Sequence, residues 1–95
     1  MIVQTVKFQS RKSEAEVIEA AISRIDAYKA VPGLLQKYYV KYDEPDTYGG
    51  ILIWESPEAM ANFRTTELAA GIPGAYAVVE APEVGACKSM FMLRH

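Results

Sequence analysis

Residues 32–63, PGLLQKYYVKYDEPDTYGGILIWESPEAMANF, decide the fold. They hold two apolar strands, a polar turn and a helix start. In residues 34–42 (LLQKYYVKY), period-two alternation puts Leu34, Gln36, Tyr38, Val40 and Tyr42 on one side. Leu35, Lys37, Tyr39 and Lys41 fall on the other. Asp43-Glu44-Pro45-Asp46-Thr47 is turn chemistry between antiparallel strands. Residues 48–55 return as the next strand, and their centre, Gly50-Ile51-Leu52-Ile53-Trp54, is apolar on both faces. Ser56 then offers a side-chain N-cap, and Pro57 takes the first helical position, where its missing N–H costs nothing. The spacing of Ala59, Met60, Phe63 and Leu68 predicts a helix from residue 57 to about 69, stopped at Gly71.

Outward from this stretch the pattern continues. Residues 2–9 alternate, with Ile2, Gln4, Val6 and Phe8 on an apolar face. Ser13-Glu14-Ala15-Glu16 is a capping box, in which hydroxyl and carboxylate each satisfy the other residue's backbone N–H. Ile18, Ala21, Ile22, Ile25 and Tyr28 recur at helical spacing and predict one helix over residues 14–29, ended by Pro32-Gly33. Residues 76–81 read as a fourth strand, residues 82–86 as a loop and residues 88–94 as a fifth strand. The fold class that follows is α+β. It is a ferredoxin-like β-α-β-β-α-β antiparallel sheet with an extra C-terminal strand, in a single domain over residues 1–95.

Composition narrows the functional classes. The chain has 95 residues, 51% of them hydrophobic, and a net charge of -2. That is enough apolar content for a core, and it lacks the basic face of an electrostatic nucleic-acid binder. A single cysteine, Cys87, excludes an internal disulfide and favours a reducing compartment. No apolar run approaches the ~20 residues of a membrane span. The first residues, MIVQTVKFQ, have neither the basic start nor the apolar core of a signal peptide. The expectation is a soluble, cytoplasmic protein with no nucleic-acid or membrane partner.

Two helices cover one face of a four-stranded sheet. The other face would present either Leu52 and Trp54 or Ile51 and Ile53, together with a tyrosine row. An apolar face of that kind is expected to be buried by a second copy of the chain about a two-fold axis. The terminal Ser89-Met90-Phe91-Met92-Leu93 is expected to pair across the same homodimer.

Residues 31–63 resemble the antibiotic-biosynthesis monooxygenase family of the dimeric α/β-barrel superfamily, and its small YdhR-like branch in particular. The residues that carry the resemblance are Pro32-Gly33-Leu34, Gly49-Gly50-Ile51 and Trp54-Glu55-Ser56-Pro57-Glu58-Ala59. The resemblance implies a dimeric barrel with a pocket between sheet and helices in each subunit. Some members of the family oxygenate aromatic substrates with molecular oxygen and without metal or flavin; others bind and degrade haem. Haem-degrading relatives carry an axial histidine in the second helix. That helix here has Asn62, Arg64, Thr65 and Thr66, and the sole histidine is the last residue, so no cofactor is expected. The characterised aromatic oxygenases carry an asparagine a few residues before the tryptophan, where this chain has Gly49 and Gly50.

The function expected is a cofactor-independent monooxygenase acting on a small aromatic or enolisable substrate. A dimeric-barrel isomerase, a decarboxylase or a non-catalytic small-molecule-binding protein is the alternative. Trp54, Arg64 and Tyr38 are the candidate catalytic residues: an indole donor, a cation for a developing oxyanion and a phenol. Tyr39, Phe63, Tyr76 and Met60 are the candidate substrate-binding residues. For each of them packing is the competing role, and Lys37 and Lys41 read as edge-strand charges. No histidine–cysteine spacing suits a metal, and no glycine loop precedes a helix to cradle phosphate. An RNA-recognition module shares the order of elements, but Ile51 and Ile53 stand at the centre of the third strand, where such modules present aromatics.

Overall fold

A computed structural model describes residues 1–94 of the chain. Four strands form one antiparallel sheet: β1 (Ile2–Gln9), β2 (Leu34–Lys41), β3 (Thr47–Trp54) and β4 (Glu83–Lys88). Their spatial order is β2-β3-β1-β4, the ferredoxin-like arrangement with β1 and β3 in the centre. Five short helices complete the described residues: α1 (Glu14–Ser23), α2 (Ile25–Lys29), α3 (Pro57–Phe63), α4 (Glu67–Ala70) and α5 (Ile72–Ala75).

Backbone pairing places Gln4 opposite Leu52, Val6 opposite Gly50 and Phe8 opposite Tyr48. In β3 the buried positions are Tyr48, Gly50, Leu52 and Trp54, so these meet the helices. Ile51 and Ile53 therefore belong to the open face, which settles the choice the sequence left unresolved. Gly49 is required by a close approach, because a Cβ there would stand 1.8 Å from the Val6 carbonyl oxygen. At the other end of the hairpin, Gly33 takes φ 78° and hands its carbonyl to the Glu55 N–H at 2.8 Å.

The capping box forms as expected: the Ser13 N–H donates to Glu16 Oε1 at 2.9 Å, and the Glu16 N–H donates to Ser13 Oγ at 3.3 Å. The single helix expected over residues 14–29 is instead two, divided at Arg24. There the Arg24 N–H closes a tight bond to the Ala21 carbonyl, and its guanidinium turns inward to donate to the Leu68 carbonyl. The buried stripe also differs from the one expected. Val17, Ala21 and Tyr28 are buried, whereas Ile18 and Ile22 are 52% and 62% exposed.

The helix expected from residue 57 to about 69 stops at Phe63. Thr65 and Thr66 hydrogen-bond back to the Asn62 and Phe63 carbonyls, and Thr66 then caps α4 through the Ala69 N–H. Residues 76–81 are not a strand. Ala77 sits at φ 47°, the Tyr76 carbonyl accepts from the Ser10 hydroxyl, and only an isolated bridge joins Ser10 to Val78. The fourth strand is β4, within residues expected to be mostly loop, and the fifth strand expected at residues 88–94 is absent among the described residues. β4 pairs with β1 through its backbone, Thr5 opposite Gly85 and Val6 opposite Val84, with every side chain exposed. Beyond it Met90, Phe91 and Leu93 are 90%, 83% and 85% exposed. No helix is long and apolar enough to cross a membrane, among the described residues.

The interior is in two parts. Phe8, Val17, Ala21, Tyr48 and Tyr76 pack as one cluster. Tyr28, Leu52, Trp54 and Phe63 pack as another.

Candidate functional site

Between the two clusters lies a cavity of about 630 Å³. Its floor is the helix-facing side of the sheet: Gln4, Val6 and Phe8 of β1, Tyr48, Gly50 and Leu52 of β3, and Lys37 and Tyr39 of β2. Its roof is Val17, Ile18, Ala21 and Ile22 of α1, with Ile25 and Tyr28 of α2. Phe63, Arg64, Ile72 and Tyr76 close one side, and Pro82 and Val84 stand at another. The exposed isoleucines of α1 thus overhang a void rather than pack on the sheet. The volume suits a ligand of two or three fused rings.

Polar groups gather toward β2. The Lys37 ammonium sits 3.6 Å from the centre of the Tyr28 ring and 4.6 Å from that of Tyr39. Gly50 makes this possible, because a Cβ there would press on the Lys37 side chain, 3.3 Å from Cε. Burial first, and the Arg24 charge second, lower the Lys37 ammonium from 10.5 to about 8. Tyr28 is 4% exposed, and its hydroxyl is buried without a hydrogen-bond partner. Arg24 Nε is likewise buried and unpartnered. Desolvation raises the phenols of Tyr28 and Tyr39 above their ordinary value, and it pushes Tyr76 up to about 12. At the rim, Lys41 and Glu14 pair at 2.7 Å.

Four of the seven residues singled out from the sequence line this cavity: Arg64, Tyr39, Phe63 and Tyr76. Three do not. Trp54 is fully buried, and its indole Nε1–H donates to Gln4 Oε1 at 2.8 Å, so its one polar group is already committed inside the core. Met60 packs against the same cluster as Trp54 and Phe63, behind the cavity wall. Tyr38 lies opposite Ile51 and is 55% exposed, so it stands on the open face of the sheet, away from the cavity.

Lys37, Tyr28, Gln4 and Arg24 were not singled out as site residues. Lys37 was legible in part, since it shares a face with Tyr39 in the alternation of β2. Its inward course depends on which face of β3 meets the helices. A β-bulge between Leu34 and Gln36 further hides the relation, because it lets Leu34 pair with Trp54 while Lys37 pairs with Leu52. Arg24 falls where α1 ends and α2 begins, a boundary the helical pattern does not reveal. Among the described residues, no group of three or more histidine, cysteine, aspartate or glutamate side chains is gathered to hold a metal ion. His95 lies outside the described residues.

No family model and no curated protein sequence matches the chain. Solved structures do. SnoaB, a cofactor-independent oxygenase from Streptomyces nogalater, superposes with a TM-score of 0.78 at 14% identity, over 99% of this chain and 97% of that one. A candidate antibiotic biosynthesis monooxygenase from Deinococcus radiodurans gives 0.76 at 12% identity, over 100% and 98%. A protein of unknown function from Nitrosomonas europaea, NE2512, gives 0.78 at 15% identity, over 96% and 90%. At these identities the likeness is one of fold: the chain has the ferredoxin-like α+β fold of antibiotic biosynthesis monooxygenases.

Proposed function

We propose that the chain is a cofactor-independent monooxygenase that acts on a small aromatic substrate able to ionise to a phenolate or enolate. The observation that carries this reading is the cavity of about 630 Å³, apolar along its length and polar at the β2 end. The shared fold with SnoaB, a cofactor-independent oxygenase, supports it by analogy. In such chemistry the ionised substrate passes an electron to molecular oxygen, and the resulting pair recombines to a peroxide. Loss of water from that peroxide leaves a quinone, so a phenol and dioxygen become a quinone and water. The protein supplies a dry, shaped cavity, orientation, and positive groups for the anion. Phe63, Tyr39 and Tyr76 would hold the rings, and Arg64, on the cavity wall, would meet developing negative charge.

Oxygen consumption in the presence of a hydroxynaphthalene or anthrone tests the proposal. The expected result is enzyme-dependent uptake of one dioxygen per quinone formed, unchanged by chelators. Saturable binding with no uptake would overturn oxygenation and favour the isomerase, decarboxylase or ligand-binding reading.

We also infer a sheet-to-sheet homodimer. Val3, Tyr38, Val40, Ile51 and Ile53 share the uncovered face of the sheet, and Met90, Phe91 and Leu93 project beyond β4. An apolar face continuous with an apolar tail fits a second copy of the same chain.

A further inference from the structure

We infer that the cavity takes its ligand as an anion, whose charged oxygen is bound by Lys37 and the Tyr28 hydroxyl at the β2 end. This rests on the cavity being a ligand site, as proposed above, but not on the oxygen chemistry.

The argument starts from a group of donors without acceptors. The Lys37 ammonium lies over two aromatic rings and makes no salt bridge; the ion pairs of the described residues are Lys7–Glu44 and Lys41–Glu14. A cation–π contact only partly replaces the water that an ammonium loses on burial. The Tyr28 hydroxyl is buried on the cavity lining with the Arg24 guanidinium beside it, and since arginine only donates, its own proton has no acceptor. Arg24 stands next to Tyr28, with one nitrogen on the Leu68 carbonyl and its guanidinium close enough to the phenol to favour the ionised form against desolvation. Buried donors are ordinarily satisfied, and two on the cavity lining without an acceptor, the Lys37 ammonium and the Tyr28 O–H, mark a missing one.

The groups facing Lys37 carry no negative charge at neutral pH. They are Tyr28 from α2, Tyr39 from its own strand, Arg24 from the α1–α2 junction, and glycine and leucine from β3. No carboxylate contributes to the shift of the Lys37 ammonium, which burial and Arg24 cause. The positive charge of this end is therefore unbalanced from within the chain. A carboxylate, phenolate or enolate oxygen would balance it, accepting from Nζ and from the phenol, while its ring lies along the apolar length of the cavity. Arg24 acts through Tyr28 as a positioning residue, since it does not line the cavity.

Two naphthalene probes of equal shape test the inference: 2-naphthoate, charged, and 2-naphthamide, neutral. Titration by calorimetry should show naphthoate binding at least about tenfold more tightly. Lys37→Met should erase that preference, Tyr28→Phe should reduce it, and Lys88→Met, the same charge change at an exposed position of β4 outside the cavity lining, should keep it. At pH 8, calorimetry in buffers of different ionisation enthalpy should show uptake of about half a proton per naphthoate, because the anion recharges Lys37. Equal affinities, or a preference that survives Lys37→Met, overturn the inference. If naphthamide binds and naphthoate does not, the inference falls and the aromatic cavity stands. If neither binds, both fall.

Discussion

Trp54 and Gln4, fifty residues apart, are joined inside the core by a hydrogen bond of 2.8 Å from the indole nitrogen to the carboxamide oxygen. The bond ties the end of β3 to β1 and satisfies the one polar atom of a fully buried side chain. Gln4→Leu would leave that N–H buried and unpaired, at a cost of about 1–3 kcal/mol. Urea unfolding should show this loss with an unchanged m-value, and the native emission of Trp54 should stay that of a buried indole.

Gly49 faces a backbone, not a side chain that could move aside. Because its Cβ would fall 1.8 Å from the Val6 carbonyl oxygen, Gly49→Ala must separate β1 from β3. A loss of at least about 3 kcal/mol is expected. Gly50→Ala is the control: its nearest contact is the flexible Lys37 side chain at 3.3 Å. It should destabilise the chain less and disturb the cavity end instead. Thermal unfolding of the two variants distinguishes these outcomes.

Folding lowers the Lys37 ammonium to about 8, from 10.5. Between these values the unfolded chain binds more protons than the folded one, so stability should rise as pH goes from 8 toward 10. Above pH 10 the phenols act the other way. Tyr76 is pushed up to about 12, and Tyr28 and Tyr39 are raised as well, so the unfolded chain loses those protons first and stability falls. Lys7 and Lys41, raised by Glu44 and Glu14, add to that fall. Urea midpoints across pH 7–11 should trace a maximum near pH 10, and Lys37→Met should remove its rising limb.

The homodimer is tested on the open face. Tyr38 and Ile51 are cross-strand partners there, so Tyr38→Glu with Ile51→Glu would place two like charges in the proposed contact. Sedimentation at micromolar concentration should find a dimer for the natural chain and a monomer for this variant, with the same far-ultraviolet circular dichroism. A monomeric natural chain overturns the dimer.

Much of the architecture was legible because local signals agreed with tertiary ones. Ser13 and Ser56 marked helix starts, and alternation marked β1, β2 and β3. Illegibility began where backbone alone sets the pairing. The side chains of Glu83–Lys88 are exposed on both faces, so no hydrophobic pattern announces β4. The apolar residues just after it imitated a strand instead. The site was half legible for a related reason. Aromatic content pointed to Tyr39, Phe63 and Tyr76, but the direction of Lys37 and the withdrawal of Trp54 depend on which side of β3 the helices cover.

The division of the interior into two packed clusters has a mechanical consequence. Among the described residues only Val6 and Ile72 pack against both, so a molecule lodged between the clusters would act as a keystone, adding contacts to each. Occupancy and rigidity should then rise together, with a gain of about 2.7 kcal/mol at a hundred times the dissociation constant. Amide exchange in α1, which roofs the cavity, should slow when a ligand binds.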